Sequence, residues 1–250
     1  MHGVPAEIRD RLRYHDQEHV LAFWPGLSPD EKNELIVQLE RIDFEQLRKL
    51  YELREKSQAA PSRDRIEPVP FLPHDSPELK KHRPRGEELL RKGEVAALVV
   101  AGGQGSRLGF EHPKGMYAVG PISQKSLFQI HAEKILALSR RYGKPVPFLV
   151  MTSPATHDET QTFFEEKKYF GLSESQVHFF CQGTMPALDR HTGRLLLEAP
   201  GRLFLSPDGH GGTLTALASS GLLHQLKTHG IKHIFYFQVD NPLVKIADPG

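Results

Sequence analysis

From residue 95 onward the chain alternates short, unbroken apolar runs with longer stretches in which apolar residues recur every three or four positions. Residues 95–101 carry no charge and no side-chain hydrogen bonder, the composition of a strand buried on both faces, as in a parallel sheet. A helix is predicted over 126–141, with Leu127, Ile130, Ile135 and Leu138 on its buried face and Gly143 as its stop. Residues 146–152 read as the next strand. Thr156-His157-Asp158-Glu159 is a capping sequence for a helix reaching about residue 168. Residues 177–182 read as a third strand, Asp189 to Gly193 as a turn between short extended segments, and 213–229 as a helix with Leu214, Leu217, Leu222 and Leu226 inward. Residues 231–239 form a fourth strand. Strands alternating with helices through short connections predict the α/β class: an open, mostly parallel sheet with helices on both faces.

The first 57 or so residues carry helical periodicity alone. Ser28-Pro29-Asp30-Glu31 is a capping box with proline at the first helical position, followed by Leu35, Ile36 and Leu39 on one face. Asp43 opens another helix, whose apolar stripe is Phe44, Leu47, Leu50 and Tyr51. Such stripes are usually core, so a helical cap on the sheet is expected here rather than a partner surface. Pro61, Pro68, Pro70, Pro73 and, just beyond, Pro77 predict an extended linker over 58–75. A short helix over 86–92, stopped by Gly93, leads into the strand at 95. The expected division is therefore 1–75, a helical cap with a proline-rich linker, and 76–250, an α/β domain.

Composition narrows the function classes. Lys and Arg number 32 against 31 Asp and Glu, a formal net charge of +1, so bulk charge gives no sign of nucleic-acid binding. No stretch approaches the ~20 apolar residues needed to cross a bilayer, and the first ten residues lack the apolar run of a signal peptide. Cys181 is the single cysteine, which fits a reducing compartment; a cytoplasmic location is expected. Cys181 itself reads as a buried small hydrophobe. The 14 histidines include no H-E-x-x-H and no zinc spacing with cysteine.

The chemistry concentrates after the strand at 95–101. Gly102, Gly103, Gly105 and Gly109 fall within eight positions, followed by Pro113-Lys114-Gly115. Glycines let backbone N–H groups turn toward one point, a concavity that binds phosphate, and Arg107 and Lys114 add positive charge beside it. The P-loop pattern is absent, and the dinucleotide pattern G-x-G-x-x-G fails because its third glycine would fall on Leu108. Asp240 ends the fourth strand, where a carboxylate either caps the turn into Asn241-Pro242 or reaches a triphosphate through a divalent cation. Ser206-Pro207-Asp208-Gly209-His210-Gly211-Gly212 precedes a helix and reads either as an anion or ribose site or as plain turn chemistry. His210 is either a donor to such a ligand or a structural histidine. Gln182-Gly183 follows the third strand; an amide offers both a donor and an acceptor, which would suit the edge of a base, but alone the pair carries no signal.

The long pattern Gly102-Gly103-x-Gly105-x-Arg107-Leu108-Gly109-x-x-x-Pro113-Lys114-Gly115 resembles the signature of the nucleotide-diphospho-sugar pyrophosphorylases. Within them it is most similar to the UTP-using branch that contains UDP-N-acetylglucosamine pyrophosphorylase. Val239-Asp240-Asn241-Pro242-Leu243-Val244 with Ala247-Asp248-Pro249 resembles that family's metal-binding segment. The likeness runs over roughly residues 28–250. It implies that UTP and a sugar 1-phosphate react to give a UDP-sugar and pyrophosphate, with Mg²⁺ as cofactor. It implies roles too. Val100, Ala101, Gly102, Gly103, Gln182, Gly183 and Gly209 would bind the nucleotide, with Gln182 reading uracil. Arg107 would hold the β- and γ-phosphates, Lys114 would neutralise the α-phosphate, Asp240 would hold Mg²⁺, and His210 would face the sugar. N-acetylglucosamine 1-phosphate is the sugar expected. His210 stands where the acetylhexosamine enzymes have Asn, and a Gly-His-Gly loop is similar to UDP-glucose and broad UDP-sugar pyrophosphorylases, which keeps those substrates open. Family members run on past residue 250, so a truncated chain with an exposed sheet edge, binding nucleotide without turnover, is a further expectation.

Overall fold

The structure, a computed structural model, describes residues 3–54, 66–73 and 76–249. In chain order it contains α1 (Ala6–Tyr14), α2 (Pro29–Glu40), α3 (Phe44–Leu53), α4 (Pro77–Lys92), β1 (Val95–Val100), α5 (Leu127–Tyr142), β2 (Phe148–Thr152), α6 (His157–Glu166) and β3 (Val177–Cys181). There follow β4 (Thr184–Pro186), β5 (Leu197–Ala199), β6 (Arg202–Leu203), β7 (Leu205–Pro207), α7 (Thr213–Ser219), α8 (Leu222–Thr228) and β8 (His233–Gln238). The linker expected over 58–75 falls partly outside the described residues, Pro61 included; Pro68, Pro70 and Pro73 lie in non-helical, non-strand backbone. Among the described residues no helix is long and apolar enough to cross a membrane.

The chain forms two compact units, Pro70–Gly183 with Asp208–Gly250, and Met1–Val69 with Thr184–Pro207. The larger holds a four-stranded sheet in the order β3-β2-β1-β8, every pairing parallel. Strand periodicity sends alternate residues to opposite faces. Val95, Ala97 and Val99 of β1 join Phe148 and Val150 of β2 in one core with Leu90, Leu127, Phe128, Ile135 and Phe164 of α4, α5 and α6. Ala96 and Leu98 join Leu149 and Met151 in a second core with Ala216, Leu217, Leu222 and Leu226 of α7 and α8. Both faces of the sheet are thus covered, as the unbroken apolar runs of β1 and β2 require.

Local chemistry accounts for most helix ends and for the departures from expectation. Ser28 and Asp43 cap α2 and α3, Ser28 through the full capping box. Helix α4 is far longer than the predicted 86–92: Ser76 caps it, Pro77 occupies its first turn and Pro84 lies inside it. Gly86 is tolerated mid-helix because a Cβ there would run into the backbone of Pro249. Thr156 starts α6 without a side-chain cap, since its hydroxyl accepts the Ser153 N–H at 3.0 Å instead. The predicted helix over 213–229 is two helices, separated by Ser220 and by Gly221 at φ 79°, a left-handed backbone that suits glycine. Leu214, expected inward, is exposed, and so is Leu50 of α3.

The smaller unit buries Leu12, Val20, Trp24, Leu35, Leu39 and Phe44 around α1–α3. Leu195 and Leu203, from the segment around β5 and β6, complete this core. Side chains finish the backbone pairing: Gln17 donates to Gly193 O at 3.1 Å and accepts from Leu195 N at 2.8 Å, while Gln38 accepts from Leu203 N at 2.8 Å. Residues 184–207 therefore share a compact unit with the N-terminal helices, a grouping that a single division at residue 75 does not contain.

Candidate active site

Because all four strands of the larger unit run parallel, their carboxyl ends share one edge. That edge delivers Ala101-Gly102 after β1, Ser153 after β2, Gln182-Gly183 after β3 and Asp240 after β8. From β1 the chain steps to β2 and β3 on one side and returns to β8 on the other. The boundary between β1 and β8 is the point where strand order reverses, where open α/β sheets place their ligands. Gly102 and Asp240 flank it.

The loop after β1 folds back on itself. Gly105 N–H donates to His112 O at 2.9 Å and Lys114 N–H donates to Gly103 O at 3.0 Å, so residues 112–114 lie along 103–105. Among the described residues the N–H groups of Gly102, Gly103 and Gln104 make no hydrogen bond. Three successive free amides are the raw material of an anion-binding nest. A Cβ on Gly103 would lie 4.0 Å from Lys114 Nζ, which brings the ammonium beside those amides. Gly115 has no room for a side chain: a Cβ there would fall within the ring of the fully buried Phe128 on α5.

Lys114 Nζ donates to Asp240 Oδ2 at 3.2 Å, spanning the strand-order reversal. Arg107 is different. It sits exposed in a single 3-10 turn, Ser106–Leu108, and among the described residues makes no hydrogen bond or ion pair. The structure therefore brings Lys114 and Asp240 together and leaves the Arg107 guanidinium without a partner among the described residues. Val100 is tied to the same edge, its carbonyl accepting Val239 N–H at 3.1 Å, and Ala101 N–H donates to Met151 O at 2.8 Å.

Gln182 closes the other flank. Its side chain is buried, and a Cβ on Gly102 would stand 2.7 Å from Gln182 Nε2. Gly102 and Gln182, 80 residues apart, are in direct apposition. Gly183 O accepts Asp208 N–H at 3.0 Å, and the Asp208 carboxylate fills the space that a side chain on Gly183 or Gly212 would need. Gly209 has φ 74° and ψ −161°, a conformation open only to glycine. His210 is exposed, and its Nδ1 lies 2.7 Å from the Tyr236 hydroxyl on β8. Asp208, whose Oδ1 is buried without a hydrogen-bond partner among the described residues, and Tyr236 were not singled out by the sequence; an Asp before glycines reads as turn chemistry, and Tyr236 as one more apolar strand residue.

Among the described residues no three His, Cys, Asp or Glu side chains gather to hold a metal ion by themselves. Asp240 alone fits a hard divalent ion of the Mg²⁺ kind, which takes one or two carboxylates and completes its shell with phosphate oxygens and water.

The family described as UTP–glucose-1-phosphate uridylyltransferase matches residues 42–250, which include the glycine-rich loop, Gln182, the second loop and Asp240. The chain belongs to this family. UDP-N-acetylglucosamine diphosphorylase 2 of Arabidopsis thaliana is 38% identical over 257 aligned positions, covering 96% of this chain and 51% of the relative. UDP-N-acetylglucosamine pyrophosphorylase of Saccharomyces cerevisiae is 38% identical over 249 positions, covering 93% and 52%. Among solved structures, uridine diphosphate N-acetylglucosamine pyrophosphorylase from Trypanosoma brucei superposes with a TM-score of 0.78 at 33% identity, covering 100% of this chain and 54% of that one. The chain spans about half the length of the curated relatives it matches. This uridylyltransferase-family chain has its strand-order reversal between β1 and β8.

Proposed function

We propose that this chain binds UTP at the carboxyl ends of β1 and β8 and serves a uridylyltransferase that makes a UDP-sugar and pyrophosphate from UTP and a sugar 1-phosphate. The observation that carries the reading is the approach of Lys114 Nζ to Asp240 Oδ2, 3.2 Å, beside the free amides of Gly102, Gly103 and Gln104. A phosphate oxygen of the sugar 1-phosphate attacks the α-phosphorus of UTP in line. A new P–O bond forms, the bond between the α-phosphorus and the bridging oxygen to the β-phosphate breaks, and pyrophosphate leaves with that electron pair. No covalent enzyme intermediate is needed; positioning and charge stabilisation suffice.

In this reading the backbone from Val100 to Gly103 lines the nucleotide, with Gln182 and Gly183 at the uracil and Gly209 at the nucleoside. Lys114 stabilises charge on the α-phosphate. Arg107, without a partner among the described residues, takes the β- and γ-phosphates. Asp240 would hold Mg²⁺ jointly with the triphosphate, and the ion would supply neutralisation of its charge. N-acetylglucosamine 1-phosphate is the sugar substrate proposed, supported by the names of the relatives in Arabidopsis thaliana and Saccharomyces cerevisiae. A second reading, glucose 1-phosphate or a broad range of sugars, is favoured by His210, whose imidazole pairs with Tyr236 in the second loop. A cytoplasmic location is proposed on the single cysteine, Cys181.

Pyrophosphate release from UTP, Mg²⁺ and a panel of sugar 1-phosphates tests the reading. Release with N-acetylglucosamine 1-phosphate supports it, and release with glucose 1-phosphate alone selects the second reading. UTP binding without release reduces the chain to a nucleotide-binding part. Absence of UTP binding refutes both.

A further inference from the structure

Helix α5 carries Phe128, His131 and Lys134 at successive i, i+3 positions, on one face of the helix. Phe128 underlies Gly115, next to Lys114. His131 is fully buried, and its Nε2 lies 2.8 Å from the carbonyl oxygen of Val239. A carbonyl only accepts, so Nε2 carries the hydrogen and Nδ1 is bare; Nδ1 has no partner among the described residues. Lys134 Nζ donates to Pro242 O and, at 2.9 Å, to Val244 O.

These three carbonyls bracket Asp240. The segment that bears it leaves the sheet after Val239 and runs as turns, held internally by long contacts such as Asn241 N–H to Gln238 O and Val244 N–H to Asn241 O, both 3.3 Å. Turns of this kind do not define where a side chain points to within a fraction of an ångström. Among the described residues Lys134 has carbonyl partners and no carboxylate, so its charge is desolvated without an ion pair. An apolar residue would serve packing alone more cheaply. The ammonium's separate donors are needed to hold two carbonyls of an irregular turn at once.

We propose that His131 and Lys134 are positioning residues, pinning the 239–244 turn to α5 so that Asp240 is fixed opposite Lys114. What Asp240 then does rests on the uridylyltransferase reading above; that the turn is pinned does not. With Phe128 supporting the Lys114 side, one helix sets both groups.

The test uses the full chain as the unaltered protein, Lys134→Met, Lys134→Arg, His131→Phe and Asp240→Asn. Hydrogen exchange is followed over residues 240–246 and over β2, and UTP affinity is measured with and without Mg²⁺. Lys134→Met should raise exchange over 240–246 by about tenfold or more while β2 stays protected. It should also lose the Mg²⁺-dependent gain in UTP affinity, as Asp240→Asn does, with affinity in the absence of Mg²⁺ unchanged. Lys134→Arg should restore both, because a guanidinium also reaches two carbonyls. If Lys134→Met fails to fold, seen as lost protection in β2, His131→Phe carries the same comparison with the same expected results. Unchanged exchange over 240–246 overturns the proposal, and so does raised exchange with the Mg²⁺-dependent gain intact. An unaltered chain that binds no UTP overturns the uridylyltransferase reading, while the exchange and its rescue by Lys134→Arg still decide whether the turn is pinned.

Discussion

Lys114 Nζ lies 3.2 Å from Asp240 Oδ2 across 126 residues of chain, a hydrogen bond that joins the loop after β1 to the turn after β8. The lysine side chain is 27% exposed and the aspartate 51%, so water screens the pair. Screened pairs contribute little to folding, ~0–1 kcal/mol. Its location, not its strength, gives it significance. Lys114→Ala should therefore leave the urea midpoint nearly unchanged while lowering pyrophosphate release by about 10²–10³ or more, the scale of removing a stabiliser of developing charge. Release near the unaltered rate in that variant would remove Lys114 from the chemistry.

Gly102 separates a binding effect from a stability effect. A Cβ there meets the end of the Gln182 side chain at 2.7 Å, a group that can swing aside, and Ser153 N at 3.2 Å, which can yield only slightly. Gly102→Ala should displace Gln182 from the uracil side of the crevice. UTP affinity should fall and the preference for UTP over other nucleoside triphosphates should narrow, with little change in melting temperature. Calorimetric titration with four nucleotides checks this.

Gly115 tests the support beneath Lys114. Phe128 is fully buried and packs edge-on against Phe164 at 5.0 Å, so it cannot retreat from a new methyl group. Gly115→Ala should cost about 1–3 kcal/mol, as overpacking does. Adding Phe128→Leu should recover part of that loss, a non-additivity of neighbours visible in urea unfolding.

Stability should depend on pH through two histidines, the buried His131 and the half-buried His178. Burial holds His131 below its ordinary value, and Lys134 beside it acts in the same direction. Burial also lowers His178, with His229 adding to the effect. The unfolded chain therefore takes up protons first as pH falls. The stability these groups contribute is full above about pH 6.5, the ordinary imidazole value, and is lost as pH falls toward their folded values. Carboxylates act lower down. Glu88, held at about 2 by Lys92 and Arg85, and Glu94, lowered by Lys232, lose their contribution only below the ordinary carboxylate range. Urea midpoints should fall as pH drops below about 6.5, and His131→Gln and His178→Gln should each flatten that fall. An unchanged slope in both variants would contradict the assignment.

The sheet was legible because β1 and β2 are apolar on both faces, a property only a doubly covered parallel sheet uses. Helix α4 was not, because Pro84 and Gly86 look like breakers when the contact with Pro249 that admits Gly86 is out of view. The grouping of residues 184–207 with the N-terminal helices was illegible for a similar reason: Gln17 and Gln38 bond to backbone some 165 to 178 positions away. In the site, Lys114 and Asp240 lay in motifs that name themselves. His131 and Lys134 sit among ordinary helical positions, where nothing in the pattern separates a buried donor from a solvated one.

The central claim is that UTP occupies the crevice between the loop after β1 and the turn after β8. The most direct measurement is a crystal structure of this chain grown with UTP and Mg²⁺. The account predicts the triphosphate against the amides of Gly102, Gly103 and Gln104, the uracil at Gln182, and Lys114 and Asp240 on either side of the phosphates. A nucleotide bound elsewhere, or one in that crevice with Lys114 and Asp240 both turned away from its phosphates, would contradict it.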